Sequence, residues 1–575
     1  MTDRLTHYRR AKNVSKINRL WPLYGAGFEN LGRAGQPIET ELPAYGPDEL
    51  LVRHDACGIC FSDIKVINAG EEHPRIFRDM QKEPVVLGHE VSLTIVGVGE
   101  NLRDQYRVGD RFIIQADIYY QGVNYAYGYM IQGGMSQYSV IDDRILRGDD
   151  GNYLLPVRPD TGYAESALAE PWACVIATYQ LEYRTGLKPG GRTWVIGTPQ
   201  ARDDLFFGSG FDEASHPAQL ALTGVPAALA ARLREQAARL QIEVMDIDPD
   251  ILGDENADLP SFDDIIVLGP EPDLIEAAGP HLADFGIVAM IAETPLARPV
   301  QVDIGRVHYN RWTYVGGSGP DMARAYSDQP IQAELKPGGK TWFVGAGGPM
   351  GQMHVQRAVR LAQPPATILC TARTAHRLRT VEDTFAAEAT AKDIDFVCLS
   401  LDEPAYEQRL ASIAGEGFDD IVVMAPSTAV IAEAAAYLAP GGVMNVFAGL
   451  KRGTLAPLDL SLVYQKGIRF IGHTASTIAD LRRMLDQTEA GELSPNRSVK
   501  AVGSLRAAPD GLKAVRDAVF PGKVVIFPQI KDFPLTSLPE LKEKLPTVYA
   551  KLKDGREWTV EAEQEFLELM LENGE

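Results

Sequence analysis

The sequence predicts an α/β protein with a β domain in front: a β-rich first segment, followed by two doubly wound parallel-sheet domains in tandem. Three observations carry this. Residues 40–150 hold short apolar or alternating runs (LLVRHDAC, EVSLTIVGVG, DRFIIQADIYY, GGMSQYSVI) broken by Gly, Asp and Asn turns, the texture of strands. From about residue 185, strand-like runs (TWVIG, QLALTG, DDIIVLG, GIVAMIA) alternate with Ala-rich helical stretches such as AALAARLREQAARL, which reads as βαβ units on a parallel sheet. The second texture then occurs a second time.

The repeat keeps register. LKPGGRTWVIG at 187–197 returns as LKPGGKTWFVG at 335–345, and PAQLALT at 217–223 returns as PATILCT at 365–371, both 148 residues downstream. FDDIIVLGP from 262 returns as FDDIVVMAP from 418, and LADFGIVAM from 282 as LAPGGVMNV from 438, both 156 downstream. A register held over whole domains with one small insertion indicates tandem duplication. The expected organisation is a β domain over 1–184, one α/β copy over 185–330 and a second over 331–490. Residues 491–540 look β-like again and return to the first domain. The charged helical tail over 541–575 reads as a solvated appendage packed on its own subunit.

The copies part at the turn after their first strand. In the second copy Gly345, Gly347, Gly348, Pro349, Met350 and Gly351 follow an apolar strand and precede a helical run. That is the context a dinucleotide turn requires, because glycines let the backbone approach the pyrophosphate at a helix N-terminus. In the first copy the positions of Gly347, Gly348 and Gly351 hold Pro199, Gln200 and Asp203. Side chains fill that turn and a carboxylate stands where phosphates would lie, so one dinucleotide per chain is expected, on the second copy. After its second strand come Ala372 and Arg373 where an NAD-specific domain usually shows an acidic residue. A small residue followed by arginine favours a 2′-phosphate, hence NADP(H) slightly over NAD(H).

The net charge of −22 over 575 residues argues against nucleic acid or an anionic membrane as partner, since both select a basic face. No apolar run reaches the length of a membrane span, and MTDRLTHYRRAKNVSK at the start lacks the apolar core of a signal peptide. Five scattered cysteines point to a reducing cytoplasm rather than a disulfide framework.

The β-rich segment carries the chemistry. ACGICFSDIKV places Cys57 and Cys60 three apart; LGHEV supplies His89 and Glu90, and LAEPWACV supplies Glu170. No second CxxC follows, which rules out a four-cysteine zinc site. One Cys, one His and one or two Glu form an open mixed set of the catalytic-zinc type. The order C-x-S-D, GHE, GVGE, GDR, GGMSQYSV and then a βαβ domain resembles the zinc-dependent branch of the medium-chain dehydrogenase/reductase superfamily. SDIKV, LAEPWACV, GAGGPMG, FDDIVVMAP, FIGH and FPGKVVIFP…DFPLTSL look most like its L-sorbose-1-phosphate reductase-like sugar and polyol dehydrogenases. The resemblance covers about 40–185 and 331–540.

The resemblance implies a GroES-like catalytic domain over 1–184 beside two Rossmann-type domains, the first without the dinucleotide fingerprint. It implies one catalytic zinc per chain, with Cys60 as thiolate ligand, His89 as imidazole ligand, Glu170 as third ligand and Glu90 binding directly or through water. Cys57 becomes a structural neighbour. Ser62 takes the substrate proton, Asp63 orients the zinc histidine, and Lys65 stands at the outer end of the proton relay. The implied activity is hydride transfer between NAD(P)(H) and a polyol, sugar or sugar phosphate. Another secondary alcohol, such as an amino-alcohol or cyclitol, and a non-catalytic binding protein on this fold are the alternatives. A small-molecule substrate and a homodimer or homotetramer are the implied partners. Leu93 replaces the glycine that usually follows GHE by three, so a different local turn is expected there.

Overall fold

The computed structural model describes residues 3–11, 14–252 and 258–571. The chain forms two compact units, one of Met1–Ala177, Gly348–Met353 and Ala475–Glu575, the other of Thr178–Gly347 and His354–Thr474. Among the described residues no helix is long and apolar enough to cross a membrane.

The first unit is built on an eight-stranded sheet. Its axis is the strand Leu50–Gly58, buried along its whole length. This strand pairs antiparallel with Glu90–Val98 on one side and with Lys523–Phe527 on the other. The register slips between His54 and Ala56, a bulge that reverses side-chain parity. Leu50 and Val52 therefore share one core cluster with Cys57, while Ala56 faces the opposite cluster. Leu93 is not at a turn, contrary to the expectation above. It lies fully buried within the strand Glu90–Val98, and the chain turns instead at Gly88, φ 98°. A Cβ at Gly88 would stand 2.6 Å from Cys57 Sγ, so only glycine fits.

The tail departs from the solvated appendage its composition suggests. Its helices Leu541–Lys544, Pro546–Tyr549 and Val560–Met570 bury Leu541, Val548, Trp558, Phe566 and Leu567 in the same cluster as Val525 and Phe527. The Phe566 ring stands edge-on to both Phe527 and Phe533. The charge in the sequence belongs to the outer face of a helix whose inner face is core. One charge points inward: the Glu563 carboxylate, 2% exposed, accepts hydrogen bonds from the backbone N–H of Tyr163 (2.6 Å) and Ala164 (2.7 Å). It caps the helix Tyr163–Ala167, and a carboxylate at that end also meets the positive pole of the helix.

The second unit holds the two α/β copies. In chain order the first copy's sheet strands are Arg192–Gly197, Gln219–Thr223, Glu243–Asp246, Phe262–Leu268, Leu282–Ile291 and Thr313–Gly317. The second copy's are Lys340–Val344, Thr367–Ala372, Asp395–Ser400, Phe418–Val423, Leu438–Val446 and Arg469–Ile471. Both sheets run in the spatial order third, second, first, fourth, fifth, sixth, the order of a dinucleotide-binding fold. The match reaches single bonds. Trp194 Nε1 donates to Thr223 Oγ1 at 2.9 Å and Trp342 Nε1 to Thr371 Oγ1 at 2.9 Å. Both fourth strands slip register at the same place, Phe262/Asp264 and Phe418/Asp420.

The copies differ after the first strand. The second continues into the helix Pro349–Arg360. Among the described residues the first has no helix between Gly197 and Gln219, because ARDDLFFGSGFDEASHP is rich in Gly, Asp, Ser and Pro. Leu205, Phe207 and Phe211 sink into the core instead, with the two phenyl rings stacked at 5.0 Å.

A second difference concerns one buried carboxylate. Asp264 is met by Arg184 at 3.0 Å; the matching Asp420 has Gln332 at the position of Arg184. Burial, with Asp419 and Glu334 adding, pushes the Asp420 carboxyl up to about 7. The folded state thus favours the protonated form. Its contribution is complete below the unfolded value of about 3.9 and is lost as pH rises through about 7. Asp420→Asn keeps a neutral acceptor for the Lys336 N–H that Asp420 binds at 2.8 Å. The variant is expected to match wild type in melting temperature near pH 4 and exceed it at pH 8. An equal offset at both pH values in thermal melts contradicts this.

Candidate active site

The site grows from the two ends of the central strand. After Gly58 the chain turns at Cys60, whose extended backbone (φ −109°, ψ 153°) precedes the helix Phe61–Ala69. Asp63, fully buried, accepts from the Cys60 N–H at 2.9 Å and from the Gly88 N–H at 3.3 Å. Its Oδ1 lies 3.4 Å from His89 Nδ1. One carboxylate thereby fixes the cysteine turn, the glycine turn and the imidazole. Although burial opposes it, the charges and hydrogen bonds of Asp63 and Cys60 hold the His89 imidazole well above its ordinary pKa. The pocket draws positive charge. Ser62 Oγ is 3.3 Å from His89 Nε2.

Glu90 opens its strand opposite Gly58, where a Cβ would come within 2.1 Å of Glu90 Oε2. Glycine there makes room for the carboxylate. Lys523 Nζ donates to Glu90 Oε1 at 2.5 Å and to the Ile59 carbonyl at 3.0 Å. Glu90 Oε2 is buried without a hydrogen-bond partner. Ligand atoms of Cys60, His89 and Glu90 lie within 4.8 Å of one another. A half-buried thiol beside a buried imidazole and a buried carboxylate, with one carboxylate oxygen left unsatisfied, form a donor set that fits zinc.

Glu170 sits in the first turn of the helix Ala169–Thr178. Its carboxyl stays outside the 4.8 Å set but within the same field. Burial, with Glu90 adding, pushes it up to about 7, while His89 and Lys523 pull the other way. The helix that Glu563 caps leads directly into this one. The buried Cys57 sulfur falls outside the cluster.

Several residues escaped the sequence reading. Lys523 is one, hidden as the first letter of an apolar strand. His73, Arg75 and Tyr129 are others. The Tyr129 ring lies 6.0 Å from that of His89 and 5.6 Å from that of His73. The Arg75 guanidinium lies 5.8 Å from the Tyr129 ring and pairs with Asp117 at 2.5 Å. Burial, then the charges of Arg75 and the exposed Lys65, push His73 below its ordinary value. The only signal was the polar EEHPRIFR run, which a loop reading absorbs.

The glycine turn of the second copy is formed. Gly345 has φ 89°, and the N–H groups of Gly345 and Ala346 both donate to the Thr371 carbonyl at 2.9 Å. Gly348 leads into the helix that starts at Pro349 and includes Met350 and Gly351. A Cβ at Gly347 would stand 2.6 Å from Arg377 Cβ and 3.3 Å from Ala372 Cβ. Ala372 is buried; Arg373 and the unanticipated Arg377 are exposed. In the first copy Thr198 Oγ1 donates to the Leu268 carbonyl, and no helix N-terminus awaits a phosphate.

Comparison with known proteins follows this geometry. Residues 46–147 match the alcohol dehydrogenase GroES-like domain. That match and the relatives that follow support the medium-chain dehydrogenase/reductase superfamily. Within it this dehydrogenase is 28% identical over 301 residues to the mannitol-1-phosphate 5-dehydrogenase of Aliivibrio fischeri, covering 48% of this chain and 70% of that one. It is 28% identical over 309 residues to the L-sorbose 1-phosphate reductase of Klebsiella pneumoniae, covering 50% and 74%. The structure of 2R,3R-butanediol dehydrogenase from Bacillus subtilis superposes with a TM-score of 0.51 at 14% identity, covering 89% of this chain and 99% of that one. The dehydrogenase is an oxidoreductase of the alcohol dehydrogenase type with a GroES-like domain and two Rossmann-type sheets.

Elemental analysis is expected to find one zinc per chain in the wild type, close to none in Cys60→Ala or His89→Ala, and an unchanged content in Cys57→Ala. Zinc retained by Cys60→Ala, or two zincs in the wild type, contradicts the assignment.

Proposed function

We propose that the dehydrogenase interconverts a secondary alcohol of a phosphorylated polyol or sugar with its ketone, using zinc and NADP(H). The observation that carries the substrate class is the chain of rings and charges leading away from His89. Tyr129 separates the His89 ring from His73, Arg75 lies beside Tyr129, and the charge of Lys65 reaches His73. A small carbinol can sit at the first end and a phosphate at the second. Two of the relatives above are named for phosphorylated substrates.

Zinc supplies a Lewis acid that acidifies a bound hydroxyl, and the nicotinamide supplies the hydride acceptor. The chain's residues do the rest. Cys60, His89 and Glu90 would hold the metal, with Glu170 in the same field. Asp63 fixes the His89 ring by its 3.4 Å contact, the orienting role such carboxylates take. Ser62, half-buried and against His89 Nε2, accepts the hydroxyl proton as its own hydroxyl proton passes to solvent. A solvated ammonium has no acceptor lone pair, so Lys65 is assigned to substrate phosphate rather than to the proton relay. Gly345, Gly347 and Gly348 admit the pyrophosphate to the N-terminus of the helix Pro349–Arg360. Arg373, with Arg377 beside it, faces the 2′-phosphate.

The substrate reading is tested with a panel of polyols and sugars and their phosphates, scored at the nicotinamide absorbance. Lys65→Met and Arg75→Met are expected to raise KM for phosphorylated substrates about 10- to 100-fold, the range of a lost charge-assisted bond, with kcat and its pH profile held. A shifted pH profile in Lys65→Met with KM unchanged returns Lys65 to the relay. The cofactor reading predicts that Ala372→Asp with Arg373→Ile moves preference toward NAD(H) about tenfold or more. Equal use of both cofactors by the wild type contradicts it.

A further inference from the structure

The first α/β copy keeps the fold and lacks the glycine turn, the following helix and a catalytic unit of its own. What it retains is a contact with its twin, and that contact has two-fold symmetry. The strand Val300–Asp303 of the first copy pairs antiparallel with Leu455–Leu458 of the second, Gln301 opposite Pro457. These two are equivalent positions, 156 apart. Their neighbours exchange in the same way: Val300 faces Leu458 and Val302 faces Ala456, each pair being the other's mirror under that offset.

The reciprocity extends beyond the strands. A Cβ at Gly316 would meet Tyr464 Cβ at 2.9 Å, and a Cβ at the equivalent Gly472 would meet His308 Cα at 2.9 Å; His308 and Tyr464 are themselves equivalent. The Leu296 N–H donates to Ser461 Oγ at 2.9 Å. The matching Gly305 is pressed on the matching Arg452, whose N would lie 2.6 Å from a Cβ there. The sixth strands of the two sheets meet where Thr313 Oγ1 donates to the Phe470 carbonyl at 2.8 Å. One continuous apolar cluster runs from Trp194, Val302 and Trp312 of the first copy to Trp342, Leu458 and Phe470 of the second. Residue i touching j while the equivalent of j touches the equivalent of i is the mark of an isologous interface, the kind two identical subunits make. Here both halves belong to one chain.

We propose that the first copy is a built-in subunit partner: the two copies form within one chain the two-fold interface that separate subunits would otherwise supply, and the enzyme is active as a single chain. The duplication relieved the first copy of cofactor binding and left it the interface to maintain. This accounts for the pattern of its divergence. Its turn and helix are rebuilt, while Gly316, the equivalent of Gly472, remains, and Gly305, where the second copy has Ser461, also permits close approach to the twin. The proposal does not depend on the identity of the substrate.

Gln301→Cys with Pro457→Cys tests it. Both positions are exposed, and facing residues of an antiparallel pair bring Cβ atoms within disulfide range. After mild oxidation of the full chain at concentrations from nanomolar to tens of micromolar, the expected product is a cross-link within one chain. Non-reducing gels then show a faster single-chain band at every concentration, absent from either single variant. Sedimentation of the active wild-type enzyme is expected to give the mass of one chain. Covalent dimers from the double variant, or an active species of two or more chains, overturn the proposal. If the double variant folds poorly, the wild-type sedimentation alone decides.

Discussion

A buried lysine and glutamate that lie 433 positions apart in the chain hold the catalytic unit together. Lys523 closes the gap between the strand that carries Cys57 and the strand that begins at Glu90, and it also binds the Ile59 carbonyl next to Cys60. Breaking such a pair by removing one partner leaves an uncompensated charge in the core, a cost of about 3–5 kcal/mol. The pair also sets the electrostatics of the pocket. With Glu90 Oε1 committed to Lys523, only Oε2 is free to face a cation. Asp63 does the complementary task for His89 and Cys60. Every ligand-bearing segment is therefore tied by one charged hydrogen bond to another segment distant in sequence.

The α/β half follows a different logic, since its geometry outlived its function. Phe285 has φ 60° and Arg311 φ 55°, left-handed conformations that cost an L-residue about 1–2 kcal/mol each. Their equivalents in the second copy are Gly441 (φ 74°) and Gly467 (φ 70°). The first copy lost its glycines and kept the bends they allowed. The two substituted side chains now meet, with the Arg311 guanidinium 5.1 Å from the Phe285 ring. Packing between the copies holds the backbone, and side chains adapted to it.

Much of this was legible in the sequence. Strand runs such as LLVRHDAC and DDIIVLG became strands, because apolar pattern and β-propensity agree there with burial on both faces. The repeat offsets foretold two copies of one α/β domain, and the copies share strand order and register slips. What stayed hidden depends on contacts between distant segments. Phe566 and Trp558 sit in a stretch whose charge dominates its composition, and nothing local says that Phe527 and Phe533 await them. The loss of the helix after Gly197 was only half visible, as a spoiled glycine turn. Glu90 rather than Glu170 joins Cys60 and His89 because Gly58 leaves space for its carboxylate, a fact of strand register and not of motif spacing. His73 and Arg75 belong to a loop whose path no periodicity records.

The first unit is assembled from the outer parts of this sequence and the α/β unit from its middle. On the ribosome, the strand Leu50–Gly58 gains Glu90–Val98 on one edge and Tyr138–Ile141 along Leu50–Arg53 of the other, while Cys57 and Gly58 on that second edge wait for Lys523–Phe527, the product of codons some hundreds further on. At translation rates of about 5–20 residues per second that wait is on the order of 20–90 s. During it the strand end at Cys57 and Gly58 and the Cys60 turn stand open, while the duplicated sheets fold from contiguous chain. The helix Val560–Met570, with Glu563, arrives later still and caps the helix that leads into the one carrying Glu170. Nascent chains that stall before this point leave the edge at Cys57 and Gly58 open and Glu90 without the Lys523 ammonium that pairs with it.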